Sequence, residues 1–112
     1  MKGVELQLDQ SAELAETFGL LADQTRLSIV VACVDREIAA GEIANELELS
    51  ASLVSHHLRL LRAARMVRAE RRGKQVFYTL ADDCVRDVLK IMINHLFAHE
   101  HGGDDQPAEG DV

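Results

Sequence analysis

Apolar residues along the chain fall into blocks whose spacing predicts a run of helices interrupted once by strands. From about Asp9 to Ala22, Leu14, Phe18 and Leu21 recur at helical spacing and predict a first helix. Asp23 then reads as the N-cap of a second helix, whose Leu27, Val30, Val31 and Val34 sit at i, i+3, i+4 and i+7 and face a core. In AAGEIANELELS, Ile43 and Leu47 lie one turn apart on a short helix, and Leu47 to Ser50 make a tight turn. Ser50 is positioned to cap the next helix, SASLVSHHLRLLRAARMV, with Val54, Leu58 and Leu61 as its buried side. Two short helices joined by a few residues, the second rich in basic groups, form a helix-turn-helix pattern.

The period then changes. MVRAERRGKQVFYTL predicts two short strands, Val67 to Glu70 and Gln75 to Leu80, around the turn Arg71-Arg72-Gly73-Lys74, where Gly73 can supply a positive φ. A last helix is expected from Asp83 to His99, with Val85, Val88, Leu89, Met92 and Leu96 as its stripe. Residues 1–8 carry little pattern and read as a flexible N-terminus, and residues 9–99 form the ordered domain. Residues 100–112, ending in GGDDQPAEGDV, read as a disordered acidic tail. The expected fold class is mainly α with a small β-hairpin, a winged helix-turn-helix.

Composition agrees with a small helical domain. The chain has 112 residues, 47% apolar but only 4% aromatic, which favours packed helices over a sheet sandwich. The opening MKGVELQLDQ lacks the apolar core of a signal peptide, and no run approaches the roughly 18 apolar residues of a membrane span. A cytoplasmic protein with no membrane contact is expected. Two cysteines, Cys33 and Cys84, are then expected as reduced thiols, Cys33 as a core residue beside the second helix's stripe.

Charge alters the picture. The net charge of -7 argues against a polyanion partner, yet Ala51 to Gln75 hold seven basic residues and one acid, Glu70. Such asymmetry points to one face that meets a polyanion. In the second helix of the pair, Ser52, Ser55, Arg59 and Arg62 share one face at i, i+3, i+7 and i+10, with His56 at its edge. Arginine can fork onto guanine, serine fits beside phosphates and bases, and no acid repels the backbone, so this face suits the major groove of double-stranded operator DNA. Arg71, Arg72 and Lys74 give the hairpin the charge of a wing that follows the backbone.

With these residues in place, LADQTRLSIVVACV, LSASLVSHHLRLLR and the basic hairpin RRGKQVFYTL together resemble the ArsR/SmtB family of bacterial metal-responsive transcriptional regulators. The resemblance covers about residues 13–99. It implies a homodimeric repressor that dimerises through its first and last helices and leaves DNA when metal binds. The family's thiol-rich site before the recognition helix finds no cysteine in EIANELELS. Its site on the last helix follows Asp-x-His, ten residues, His, two residues, then His or Glu. Here Asp82 matches, Cys84 replaces the first His, and His95 matches the second. The fourth position is Ala98, and His99, one residue on, is the expected substitute. A set of Asp82, Cys84, His95 and His99 suits zinc, nickel or cobalt.

Geometry adds a point of its own. Cys84 and His95 are three turns apart on one helix face, about 16 Å along the axis, too far for one metal with bonds near 2.0 to 2.3 Å. A second copy running antiparallel would bring one chain's Asp82 and Cys84 beside the other's His95 and His99. Two rival classes compete with this reading. A redox or persulfide-sensing repressor would use Cys33 and Cys84. An enzyme has little support, because Ser55 and His56 diverge by about 100° on a helix and Gly73-Lys74 lacks the preceding glycine of a phosphate loop; no small-molecule substrate is expected.

Overall fold

A computed structural model describes residues 3–101, and side chains through residue 98. Five helices and three strands follow in the order α1 (Leu8–Leu21), α2 (Gln24–Ala32), β1 (Ile38–Ala39), α3 (Ala40–Leu47), α4 (Ala51–Ala63), β2 (Val67–Arg72), β3 (Gln75–Leu80) and α5 (Asp83–His101). The chain divides into two compact units at Asp82, so that α5 stands as a unit of its own. The predicted 100–112 tail lies outside the described residues from 102 onward, and the start of the 1–8 segment lies outside them for residues 1 and 2.

In the first unit α2 packs against α1, α3 and α4, and α4 also packs on β2. The largest fully buried side chains are Ile29, Val30, Cys33, Ile38, Ile43, Val54, Leu58 and Leu61. Polar side chains set the starts of the helices. The Asp23 carboxylate accepts from the Arg26 backbone N–H at 3.0 Å, and Ser50 Oγ accepts from that of Leu53 at 3.1 Å, each satisfying a donor that no helical carbonyl reaches. At the start of α3 the Glu42 side chain accepts from the Ala39 N–H at 3.2 Å.

Both helices of the helix-turn-helix end on a left-handed residue that is not glycine. Glu48 has φ +57° and Arg65 has φ +63°. After α3 the Leu49 N–H returns to the Ala44 carbonyl at 2.9 Å, and after α4 the Met66 N–H returns to Leu61 at 2.9 Å. These six-to-one bonds turn the chain sharply and satisfy terminal carbonyls. The first sends the chain into α4 and the second sends it into the hairpin.

Two expectations are corrected. The predicted stripe on α2 includes Val31 and Val34, but Val31 is 41% exposed while Ile29, Val30, Ala32 and Cys33 are buried. The helix stops at Ala32, so Val34 is not on it, and neighbours on several sides bury a wider arc than one stripe. The hairpin is also longer than predicted. β2 runs to Arg72, which pairs with Gln75, so the turn is the two residues Gly73 and Lys74. Gly73, at φ +63°, occupies the first turn position, where a backbone twist matching the strands favours glycine.

A third strand was not anticipated. β1 pairs antiparallel with β3, Ile38 opposite Tyr78 and Ala39 opposite Phe77, giving the sheet order β1-β3-β2. A two-residue strand with both side chains buried shows no alternation to read.

Candidate nucleic-acid interface and metal site

The residues expected to meet DNA lie on the exposed side of α4. Ser52, Ser55, His56, Arg59 and Arg62 are all exposed, while Val54, His57, Leu58 and Leu61 are buried on the opposite side. No acid lies within α4. The face is therefore a cationic strip of short hydroxyls and long guanidinium groups, a shape and charge that fit between phosphate rows.

The three cations of the hairpin divide into two kinds. Arg71 and Lys74 are exposed beside Gly73 at the tip. Arg72 instead turns back on the protein, ion-pairing with Glu37 and with Glu70, the latter at 3.0 Å, and lying 4.9 Å from the centre of the Phe77 ring. Hydrogen bonding to these carboxylates raises the guanidinium's pKa further, and the Arg72 hydrogen bond holds the Glu37 carboxyl below the usual carboxylate range. In this state Arg72 is neutralised by the protein's own acids, and the tip presents Arg71 and Lys74.

His57 is the buried polar residue of the core, only 8% exposed. Its Nδ1 faces Arg26 Nη1 at 3.4 Å. Arg26 also donates from Nε to the Leu20 carbonyl at 2.8 Å, in the last turn of α1, and lies 3.9 Å from Asp23 Oδ2. Its spacing from Val54 and Leu61 puts it on the buried stripe, a signal that a polar residue type obscures in the sequence.

On α5 the structure places Asp82 as the helix N-cap, Oδ1 accepting from the Cys84 N–H at 3.0 Å. The cap engages one of the two carboxylate oxygens. Cys84 and His95 are exposed, toward opposite ends of the helix. The side chain of His99 lies outside the described residues. Among the described residues, no three His, Cys, Asp or Glu side chains converge on a point within one chain. A thiolate, an imidazole and a carboxylate nonetheless form a donor set that fits a borderline divalent metal. Cys33, by contrast, is 1% exposed, and burial pushes its thiol up to about 11.

Apolar side chains lie open on two helices. α1 has no buried residue, and Leu14 and Phe18 are exposed. Along α5, Leu89 is buried, but Val88, Ile91, Met92, Leu96 and Phe97 are exposed, Ile91 at 69%. Among the described residues no helix is long and apolar enough to cross a membrane.

Known proteins resemble the chain in sequence and in fold. The family "Bacterial regulatory protein, arsR family" matches residues 23–69, from the cap of α2 into β2. A transcriptional repressor SmtB homolog from Synechocystis sp. is 38% identical over 91 residues, covering 81% of this chain and 69% of that protein. A cadmium resistance transcriptional regulatory protein CadC homolog from Staphylococcus aureus is 32% identical, over 81% of this chain and 76% of its own length. Among solved structures, reduced HlyU from Vibrio cholerae superposes with a TM-score of 0.72 at 31% identity, covering 80% of this chain and 93% of that one. A capped, acid-free recognition helix followed by a basic wing, matched in sequence and in fold, identifies the chain as a member of the ArsR/SmtB family, a DNA-binding transcriptional regulator and not an enzyme.

Proposed function

We propose that this regulator is a homodimeric, metal-responsive repressor that leaves its operator when a transition metal bridges the α5 helices of two copies. The observation that carries the reading is the placement of Cys84 and His95, exposed and about 16 Å apart on one helix beside an open apolar stripe. One chain cannot bring them together. Two antiparallel α5 helices, burying Val88, Met92 and Leu96 between them, would put Asp82 and Cys84 of one copy next to His95 and His99 of the other. The exposed Phe18 and Leu14 of α1 offer a separate apolar face to a partner copy.

In this reading Ser52, Ser55, His56, Arg59 and Arg62 enter the major groove, and Arg71 and Lys74 hold the flanking backbone. Arg72 joins them when it exchanges its carboxylates for a phosphate. Two recognition helices must meet half-sites about 34 to 36 Å apart, so whatever changes the tilt between copies changes affinity. Asp82, Cys84 and His95, with His99 as the sequence expectation, would hold a zinc, nickel or cobalt ion that would constrain the two copies, and because coupling is reciprocal operator DNA would weaken metal binding by the same factor. The alternative, a thiol-based redox or persulfide-sensing repressor using Cys33 and Cys84, is less favoured because the Cys33 thiol is enclosed and held protonated.

Fluorescence anisotropy of the metal-free protein on its own upstream DNA, with zinc, nickel and cobalt titrated separately, tests the reading. Release by one metal at low concentration is expected. Tight binding indifferent to all three would overturn it in favour of thiol chemistry.

A further inference from the structure

We propose that Arg26 and His57 form a positioning link that sets the roll of the recognition helix α4 from the end of α1. The proposal rests on the DNA-reading role of α4 and assigns it a control that lies outside the DNA face.

The link is built from directional contacts. Arg26 donates from Nε to the Leu20 carbonyl at 2.8 Å, one of the last α1 carbonyls, which no helical N–H reaches. Its backbone N–H is fixed by Asp23 at 3.0 Å, the same carboxylate that lies 3.9 Å from Nη1. The guanidinium is thereby oriented, and Nη1 points at His57 Nδ1, 3.4 Å away across the boundary between α2 and α4. Arginine has only donors, so Nδ1 is the acceptor and the ring proton sits on Nε2.

The other contacts that seat α4 are apolar. Val54, Leu58 and Leu61 hold the helix on the core, but such packing has little directional preference. A hydrogen bond does have direction, and it lies on the buried side opposite Ser52, Ser55, Arg59 and Arg62. With side-chain tips about 6 Å from the helix axis, a roll of about 10° shifts them by about 1 Å. That shift is enough to misalign a forked arginine–guanine pair, whose hydrogen bonds need about 2.7 to 3.2 Å. Phosphate contacts by long, mobile side chains tolerate it. Loss of the link should therefore lower sequence-specific binding while sparing non-specific binding.

The test compares affinity for a duplex enriched from a random library by the unaltered protein with affinity for a random-sequence duplex of equal length. His57→Leu fills the same apolar site without an acceptor, whereas His57→Asn restores an acceptor near the position of Nδ1. For His57→Leu, specific affinity is expected to fall about tenfold with non-specific affinity within about twofold, and His57→Asn should recover most of the loss. Equal loss on both duplexes, or no rescue by Asn, would overturn the link in favour of a packing role. Should His57→Leu not fold, Arg26→Lys decides: one ammonium cannot serve both Leu20 and His57, and an unchanged specificity ratio would overturn the proposal. Failure of the unaltered protein to enrich any duplex would instead overturn the DNA-reading role itself.

Discussion

Arg72, at the end of β2, is ion-paired to Glu37, a residue 35 positions earlier in the loop before β1. A wing arginine is thus tied to an acid on the other side of the helix-turn-helix. The pair ties the tip end of β2 to the body of the domain and neutralises one of the wing's charges. Glu37→Gln should loosen that charge, leaving it with Glu70 alone, and the slope of log affinity against log salt should steepen by up to about 0.9, the value of one added phosphate contact. Arg71→Ala or Lys74→Ala should flatten the slope by about the same amount. Salt titrations of DNA binding check all three. The Glu37 carboxyl is held below the usual range, so the pair persists above that range and is lost as pH falls through the depressed value.

Changing Cys84→Ser or His95→Ala should leave metal-free DNA affinity within about threefold and abolish metal-induced release, as read by anisotropy with and without metal. Loss of DNA binding together with metal response would mean that these side chains hold the fold.

Phe18→Asp puts a charge into the open face of α1. Sedimentation should show a shift from dimer toward monomer, with operator affinity falling at least about tenfold, since one recognition helix then reads one half-site. An unchanged sedimentation profile would place the dimer contact elsewhere.

Arg65 holds a left-handed backbone, which costs a side-chain-bearing residue about 1 kcal/mol relative to glycine. Arg65→Gly should therefore raise stability by up to about 1 kcal/mol, seen as a higher urea midpoint, with the same α4-to-β2 turn.

Burial raises the Cys33 thiol from 9.0 to about 11, so the fold favours the protonated form. A group whose folded pKa is raised contributes stability that is complete below the unfolded value and is lost as pH rises through the folded one. Urea unfolding should show a loss of about 2 kcal/mol between pH 9 and pH 11, and Cys33→Ala should lack this loss while being less stable at pH 8. At neutral pH a thiol reagent should modify Cys84 and spare Cys33 until the protein unfolds.

The helix-turn-helix was legible because its signals are local. Asp23 and Ser50 cap the helices predicted for them, and Val54, Leu58 and Leu61 repeat at the period of one helix face. The exposed face with Ser52, Ser55, Arg59 and Arg62 follows from that period. What escaped the sequence joins distant positions. Neither the Glu37–Arg72 pair nor the Arg26–His57 contact has a spacing that marks it, and β1 is too short to carry a pattern. On α2 the stripe rule misplaced Val31, because a nine-residue helix surrounded by neighbours does not bury a single face. On α5, Asp82, Cys84 and His95 are legible as residues, but among the described residues one chain does not bring them together.

The central place of β3 has a consequence for how the domain comes into being. Its two neighbours, β1 and β2, lie on either side of the helix-turn-helix in the chain, so the strand that joins them emerges from the ribosome after both. Until it arrives, Ile38 and Ala39 have no sheet to join, and the edge of β2 is open. The last strand synthesised in this unit thus closes the long loop back to β1, an entropically costly step. A nascent chain stalled before Gln75 would carry the recognition-helix residues but could form no sheet, because both other strands pair only with β3.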